Sequence, residues 1–400
     1  MKIQHGSPEF TRTNLALFAA GFVTFINLYT VQTLFPQFSE TYNITPATAS
    51  LTLSVATITL AISLLLFGSL SEAWGRKPLM IASLFATSLF TLVIGFMPTF
   101  ESLLVLRALQ GIAFAGVPSI AMAYLAEEMD SKSLGIAMGL YISGNSIGGL
   151  SGRVLMGIIS DVSSWQVGMV CIGVLSLIIT GYFIWALPMS RYFTPKPLHI
   201  PSLWQSLRAH IATPLLLKLF CIGFCLMGAF VALFNYIGFQ LLAPPYSLST
   251  AVVGAIFIVY LVGTFSSTWF GSLSVKHGRQ RMLLYGCIIM GTGALITLAT
   301  PLLFKCLGLI AFTFGFFGAH SIASNAVSFY ASHDKAQASS LYLFAYYTGS
   351  SVGGTIAGVF WLAFGWLGVI SCITAFIALS ILLTMSLPQA QTHEKTASSQ

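Results

Sequence analysis

Charged residues are scarce in this sequence. Only 7% of the 400 residues are charged, whereas 56% are hydrophobic, and a soluble globular chain averages about 25% charged residues. With a mean hydropathy of +0.88, most of the chain is expected to lie in lipid. The formal net charge of +7 therefore does not indicate a nucleic-acid partner. The composition excludes an ordinary water-soluble domain.

Cysteines with paired or metal-type spacing are also missing. The six cysteines fall mostly inside apolar segments, which is typical of small packing residues: Cys171, Cys221, Cys225, Cys287, Cys306 and Cys372. The sequence therefore predicts no metal site, no cofactor and no set of catalytic residues. A cleavable signal peptide is not expected either, because residues 1–13 are polar and the first apolar run is long enough to span a membrane.

Long apolar runs fill the rest of the chain. A membrane-spanning helix needs about 20 apolar residues, and spans must be helical because lipid cannot satisfy the hydrogen bonds of an irregular backbone. The sequence predicts an all-α integral membrane protein with twelve transmembrane helices, near 14–36, 47–70, 78–97, 101–124, 134–159, 165–187, 214–241, 250–273, 281–300, 303–328, 337–360 and 365–387.

The basic residues are distributed asymmetrically among the predicted loops. Fourteen of the 17 lysines and arginines fall on one side of the membrane, Lys305 alone falls on the other, and Arg107 and Arg153 lie inside spans. Basic loops face the cytoplasm. Both termini and the longest loop are therefore predicted to be cytoplasmic.

Two motifs occur twice, in the same order and at nearly the same offset. Residues 141–149 (YISGNSIGG) return 205 positions later as 346–354 (YYTGSSVGG), and residues 68–76 return 203 positions later as 271–279. The chain is therefore two copies of one unit, an architecture in which transporters place a substrate site between the halves. The predicted parts are an N-terminus (1–13), two six-helix bundles (14–187 and 214–387), a linker rich in proline and basic residues (188–213) and a polar tail (388–400).

The first motif places charges at a cytoplasmic helix end. Its residues Glu72, Gly75, Arg76 and Lys77 are followed, at the inner end of the fourth span, by three possible partners: Glu127, Glu128 and Asp130. Such a pairing could form a latch that breaks as the halves move. The alternative is a charge cluster that serves topology only.

The second motif is rich in glycine. Gly144 and Gly148 share one helix face that Gly149 borders, and Gly349 and Gly353 form the equivalent face in the second half. Small residues let helices approach closely in lipid. We expect close packing there, and the same seam could also bend or slide.

Two arginines distinguish the halves. Arg107 in span four and Arg153 in span five correspond to Ala311 and Gly358 in the second half. A charge inside a span costs at least roughly 2.5–3.5 kcal/mol, so both arginines are predicted to face the bundle interior or an aqueous cavity. A buried structural pair, such as Arg153 with Asp161, is the alternative.

Other polar residues occur within the spans, and each could line a pathway or only link helices: Asn27, Gln32, Asn145, Asn235, Gln240, His320 and Asn325. His320 could titrate and couple to protons, or it could be a satisfied packing residue. No acidic residue lies in the middle of a span. Coupling would therefore fall to His320, to a rim acid (Asp161 or Glu101) or to the substrate, and a neutral polar or anionic substrate is favoured over a cation.

The motifs together resemble the major facilitator superfamily. The similarity lies in the loop motif at 68–77, in Arg107-x-x-Gln-Gly111, in the glycine motif at 144–149 and in residues 187–191. More narrowly, residues 141–153, 233–238 and 337–343 resemble bacterial inner-membrane proteins of the sugar, nucleoside and drug efflux branch. This resemblance implies two six-helix bundles, a central cavity, alternating access and a location in the bacterial inner membrane.

The resemblance also implies a function for particular residues. It assigns proton or substrate coupling to Arg107 and a charge latch to Glu72, Arg76 and Lys77. The family's antiporter proline is replaced by Asn145, and the second latch copy has Val275 instead of an acid. We therefore expect a monomeric secondary transporter, not an enzyme, that couples protons to the efflux of a small organic solute; uptake by symport is the alternative.

Overall fold

The computed structural model describes residues 2–130, 132–195 and 200–388, and these residues are predominantly helical. The first half contains α1 (Pro8–Tyr29), a 3₁₀ turn (Thr30–Leu34), α2 (Phe35–Thr41), α3 (Pro46–Trp74), α4 (Arg76–Ile94), α5 (Phe100–Phe114), α6 (Gly116–Glu128), α7 (Leu134–Val162) and α8 (Trp165–Ala186). The predicted tail, residues 388–400, lies outside the described residues except for Pro388.

A short helix in the predicted linker, α9 (Ile200–Ile211), precedes the second half. The second half contains α10 (Pro214–Leu242), α11 (Thr250–Ile256), a 3₁₀ turn (Phe257–Tyr260), α12 (Leu261–His277), α13 (Arg279–Ile296), α14 (Leu302–Tyr330) and α15 (Lys335–Met385). The all-helical fold predicted from the sequence is confirmed.

The helix α15 is two helices joined at a bend. Its 51 residues would extend about 75 Å as one rod, more than twice the roughly 30 Å thickness of the hydrocarbon core. Gly365 interrupts it with a φ of 58°, and Gly368 approaches the backbone of Phe360 so closely that a side chain would not fit. The two legs of α15 therefore turn back on each other at Gly365.

Hydrogen bonds and special backbone angles define the helix ends. The hydroxyl groups of Ser7, Thr45, Thr99, Ser164 and Ser249 each accept a hydrogen bond from the backbone N–H three residues later, which satisfies a donor that the helix leaves free. Where the repeated loop motif turns, both copies use a glycine with positive φ.

Nine helical segments of the described residues are long and apolar enough to cross a membrane. The helices of the predicted fifth and ninth spans, α7 and α13, are not among them, and α15 counts once although two spans were predicted there. The twelve-span count is therefore still a prediction. The helix α1 also begins at Pro8, six residues before the predicted first span.

The loops gather at two ends of the helical bundle. Lys77 Nζ donates to Leu187 O at 2.5 Å, and Arg191 pairs with Glu9 at 2.6 Å. We call this end, with residues 75, 129–130, 132–133, 187–195, 278 and 331–334, the basic face. At the other end, Tyr42 Oη donates to Met97 O at 3.3 Å. We call that end, with residues 42–45, 95–99, 163–164, 243–249 and 297–301, the opposite face.

The two halves repeat the same packing. A Cβ on Gly152 would lie 2.6 Å from Ile26 O, and Gly144 and Gly148 likewise leave no room against α1. In the second half, a Cβ on Gly353 would lie 2.5 Å from Gly228 Cα, and Gly349 abuts Phe224. The predicted close packing is present at α1 with α7 and at α10 with α15.

Candidate functional site

A cavity of about 120 Å³ lies between the halves, near the middle of the long helices. It is lined by Phe25, Tyr29, Gln32, Asn145, Ser146, Gly149, Arg153, Met227, Phe230, Val231, Tyr260, Phe316, Phe317 and Tyr346. These residues come from α1, α7, α10, α14, α15 and the two 3₁₀ turns. Both halves of the duplicated chain therefore build the site.

Arg153 is the cationic residue of the cavity wall. Its side chain is 2% exposed; Nε donates to Gln32 Oε1 at 2.8 Å, and Nη1 donates to Gly149 O at 2.7 Å. The rings of Tyr29 and Tyr260 surround the guanidinium, with centroids 4.2 and 4.7 Å from Cζ. Aromatic faces stabilise a desolvated cation, but they do not neutralise its charge.

A hydrogen-bonded chain runs from Arg153 across to the second half. Gln32 accepts from Arg153 and donates from Nε2 to Asn235 Oδ1 at 2.7 Å. Because an arginine can only donate, Gln32 must turn its Oε1 toward Arg153 and its Nε2 toward Asn235. Asn235 must in turn present its Oδ1 to Gln32. Asn235 Nδ2 is then left buried, with no acceptor in the part of the chain that the structure describes.

The halves also touch directly on the opposite-face side of the cavity. Ser54 Oγ in α3 donates to Ser351 O in α15 at 3.2 Å and accepts from Thr355 Oγ1 at 3.0 Å. A Cβ on Gly157 of α7 would lie 2.8 Å from Thr250 O. These contacts close the cavity toward the opposite face.

The predicted pathway residues Asn145 and His320 both lie near the cavity. Asn145 lines it, with its Oδ1 buried against Gly21 and lacking a donor within the described ranges. His320 lies behind the wall, where Nδ1 is 2.9 Å from Tyr342 Oη and its ring is 4.6 Å from that of Tyr346. The alternative in which His320 is a satisfied packing residue agrees with this hydrogen bond.

Arg107 lies away from the cavity. It is fully buried in the first half, where Nε donates to Thr52 O at 2.8 Å and Nη2 donates to Leu28 O at 3.0 Å. Its Nη1 donates to Gln110 Oε1 at 2.6 Å. The carbonyl groups of Asn27 and Leu28 that it binds lie where α1 changes into a 3₁₀ turn, whereas that of Thr52 belongs to α3. The structure thus places Arg107 in the bundle interior, the first of the two predicted locations, and not beside the cavity.

Asn27 is also directed away from the cavity. Its Nδ2 donates to Val23 O at 2.6 Å and to Ser176 Oγ of α8 at 2.9 Å. It links α1 to α8 within the first half. Among the predicted pathway residues, the structure therefore brings together Arg153, Asn145 and Asn235, with His320 behind them, and it separates Arg107 and Asn27 from them.

The charges of the loop motif pair inside the first half. Arg76 binds Glu127 at 2.7 Å and lies 3.7 Å from Glu72, while Lys77 Nζ donates to carbonyl groups at the end of α8. Of the other predicted partners, Glu128 instead accepts from the backbone of Arg191, and Asp130 accepts from Ser133.

The second half contains the geometric counterpart of this motif, in which Arg279 corresponds to Arg76 but Val275 and Gln280 replace Glu72 and Lys77. Gly75 and Gly278 have φ values of 99° and 87°. Gln280, at the position equivalent to Lys77, donates to Thr384 O at 3.0 Å and so binds the end of α15. The turn and the helix-end contact are common to both halves, and the ion pair is made in the first half.

Two site features were not predicted. The cavity wall is largely aromatic, through Tyr29, Phe230, Tyr260, Phe316 and Tyr346, and Gly149 belongs to this wall, although it was placed in the packing seam. Tyr346 begins the second copy of the glycine motif, and its position in this repeat is the sequence signal that pointed to it. Among the described residues, no three His, Cys, Asp or Glu side chains lie close enough together to hold a metal.

Comparisons with known proteins agree on one family. The model of the Major Facilitator Superfamily matches residues 17–354. The chain is 52% identical to the uncharacterized MFS-type transporter YybF of Bacillus subtilis (strain 168), over 96% of this chain and 95% of that protein. It is 44% identical to the inner membrane transport protein YnfM of Escherichia coli (strain K12), over 96% and 91%.

A solved structure shares the fold. The crystal structure of a bacterial homolog of the human lysosomal transporter Spinster, in an inward-facing and occupied conformation, superposes with a TM-score of 0.75. It covers 95% of this chain and 96% of its own, at 15% identity. At this identity the likeness shows the fold alone.

Proposed function

The chain belongs to the Major Facilitator Superfamily as a transporter of the secondary type, and on that premise we propose that it exports a small organic solute by proton-coupled alternating access. The observation on which this rests is the cavity built by both halves and closed toward one face. The resemblance found in the sequence is confirmed at the level of the family.

The proposed topology is the one that the sequence predicts. Twelve spans form two six-helix bundles, 14–187 and 214–387, joined by the linker 188–213, in a bacterial inner membrane with both termini in the cytoplasm. The bend at Gly365 supports two spans within α15. Because one chain builds the whole cavity, we propose that the monomer is the functional unit.

The conformation of the structure corresponds to an inward-facing state under this topology. The contacts of α3 with α15 and of α7 with α11 seal the side that would face outward. Alternating access requires these contacts to break when the halves rock. The pairing of Arg76 with Glu127 on the cytoplasmic side would then hold helix ends together within the first half. We propose that the predicted latch residues Glu72, Gly75, Arg76 and Lys77 keep the first half rigid while it moves against the second.

Proton coupling is proposed to involve His320. It is the titratable imidazole that packs on the cavity residues Phe316 and Tyr346, whereas the rim acids Asp161 and Glu101 are exposed at helix ends. Uptake by symport is the second candidate. The observation that favours it is Asn145, which stands where the antiporter branch has proline.

Transport by purified protein in proteoliposomes tests this proposal. A panel of labelled sugars, nucleosides, amino acids and carboxylates is offered with and without an imposed pH gradient. We expect accumulation of at least one solute that depends on the gradient, with the sign of the gradient separating export from uptake. His320→Gln should remove the gradient dependence while counterflow of the same solute continues. Gradient dependence that is unchanged in His320→Gln would contradict this coupling function.

A further inference from the structure

The cation of the cavity has no anionic partner in the described part of the chain. No carboxylate lies within ion-pair distance of Arg153. The alternative partner, Asp161, is eight positions further along α7, about 12 Å along the helix axis, and it is exposed. A buried charge is costly unless it is paired. Within the described residues, the cavity therefore presents an unpaired positive charge that an anion would neutralise.

Hydrogen-bond donors remain free beside this charge. Nε and Nη1 of Arg153 are engaged, but Nη2 donates to none of the described residues. The hydroxyl of Tyr260, whose ring lies 4.7 Å from Arg153 Cζ, is buried and has no hydrogen-bond partner among the described residues. Arg153 comes from the first half and Tyr260 from the second. These two adjacent residues, one from each half, can thus contact one carboxylate together.

The remaining wall suits an apolar body. Phe25, Met227, Phe230, Phe316 and the ring of Tyr346 line it. The cavity volume of about 120 Å³ is close to that of engineered dry cavities of roughly 150 Å³, which hold benzene. A sugar of that size would place several hydroxyl groups against this apolar wall, which is costly, and a cation would be repelled by Arg153.

We propose that the cavity binds small monocarboxylates with a ring-sized apolar body, and that the carboxylate is held by Arg153 and Tyr260. This inference rests on the proposed transport function and specifies its substrate class. Asn145, at the other end of the cavity wall on α7, would contact a polar substituent on the ring.

Binding of labelled benzoate to the full-length protein in nanodiscs tests the proposal. Benzamide and benzylamine serve as neutral and cationic probes of the same size, and glucose serves as a polar one. We expect benzoate and cyclohexanecarboxylate to compete for the site, and the other three to bind at least about tenfold more weakly, because hydrogen bonds to a charged group are strong. Benzamide binding as tightly as benzoate would overturn the proposal.

Variants separate a binding residue from a structural one. Arg153→Gln should weaken benzoate binding at least about tenfold, Arg153→Lys should do so less because the charge remains, and Tyr260→Phe should weaken it about threefold with the ring retained. The exposed Arg281→Gln is the matched control and should bind like the parent. Gel filtration verifies that each variant is folded.

The outcomes distinguish the two proposals. A folded Tyr260→Phe or Arg153→Lys protein that binds benzoate as the parent does would overturn the assignment of the carboxylate site. Transport of neutral or cationic solutes by a protein that fails to bind benzoate and cyclohexanecarboxylate would overturn this substrate class and leave the transport function intact. Benzoate binding with no transport of any solute in the panel would overturn the transport function and leave the binding site standing.

Discussion

Two arginines that look alike in the sequence have different environments in the structure. Arg107 and Arg153 both lie inside apolar segments and both lack a counterpart in the second half. Arg107 binds carbonyl groups of α1 and α3 within one bundle, whereas Arg153 faces the cavity and contacts residues of both halves. Residue type and position could not separate them, because the distinction depends on which helix faces surround each side chain.

Arg107 is predicted to be a stability residue. In Arg107→Ala the buried side-chain oxygen of Gln110 and the carbonyl oxygen of Leu28 lose their donor, and unsatisfied buried polar groups cost about 1–3 kcal/mol each. We expect a clear fall in the melting temperature of the purified protein, measured by a thermal unfolding assay in detergent. The exposed Arg281→Ala should melt like the parent, and an Arg107→Ala protein of parental stability would contradict the prediction.

The elements repeat a single packing rule in both halves. Glycines of α7 approach α1, and glycines of α15 approach α10, at distances that leave no room for a side chain. Backbones that approach so closely gain dispersion contacts, which hold helices together in lipid. The glycine spacing predicted this seam from the sequence, since the spacing alone places the residues on one helix face.

Two alanine substitutions on α7 should have opposite effects. A Cβ at Gly144 would overlap the backbone of Phe18, whereas Gly139 has open space around it. We expect Gly144→Ala to destabilise the protein by about 1–3 kcal/mol, as overpacking does. Gly139→Ala should be neutral or slightly stabilising, because alanine favours a helix by up to about 1 kcal/mol. Thermal unfolding of both variants tests the pair, and equal effects would contradict it.

The linker helix α9 docks on the loop before α15. Ser206 Oγ donates to Asp334 Oδ2 at 2.7 Å, and the rings of His210 and His333 stack at 4.5 Å. Burial lowers the pKa of His210, the neighbouring His333 lowers it further, and Asp334 partly opposes both effects. The charged imidazole is thus favoured when α9 is undocked.

Docking of α9 should therefore weaken in acid. The contribution of His210 to docking is fully present above the ordinary histidine pKa of about 6.5. It is lost as the pH falls from that value through the lower pKa that His210 has in the docked state. A spin label on the exposed Gln205→Cys should become more mobile between neutral pH and mildly acidic pH. In His210→Phe the mobility should not change with pH. A label that is equally mobile across this range in the parent would refute the prediction.

At the scale of the whole molecule, the contacts of α3 with α15 and of α7 with α11 join the two halves near the opposite face. Ser54 and Thr355 meet there across the interface, with 3.0 Å between their hydroxyl oxygens. If the halves rock during transport, these two residues must separate.

A disulfide at this contact should arrest transport. In Ser54→Cys/Thr355→Cys, oxidation should reduce transport in proteoliposomes at least about tenfold, because one of the two conformations becomes inaccessible, and a reducing agent should restore it. Each single cysteine variant is the matched control and should be insensitive to oxidation. Undiminished transport by the fully cross-linked double variant would argue against rocking at this interface.

The sequence by itself determined the class, the duplication, the helical fold and the packing seam. These properties follow from composition and from spacing along single helices, which are local. Only the tertiary structure decided that Arg153 faces the cavity and Arg107 does not, that Gln32 links Arg153 to Asn235, and that aromatic rings surround the guanidinium. Those relations join residues far apart in the chain, and they depend on how the two copies of the repeat are placed against each other.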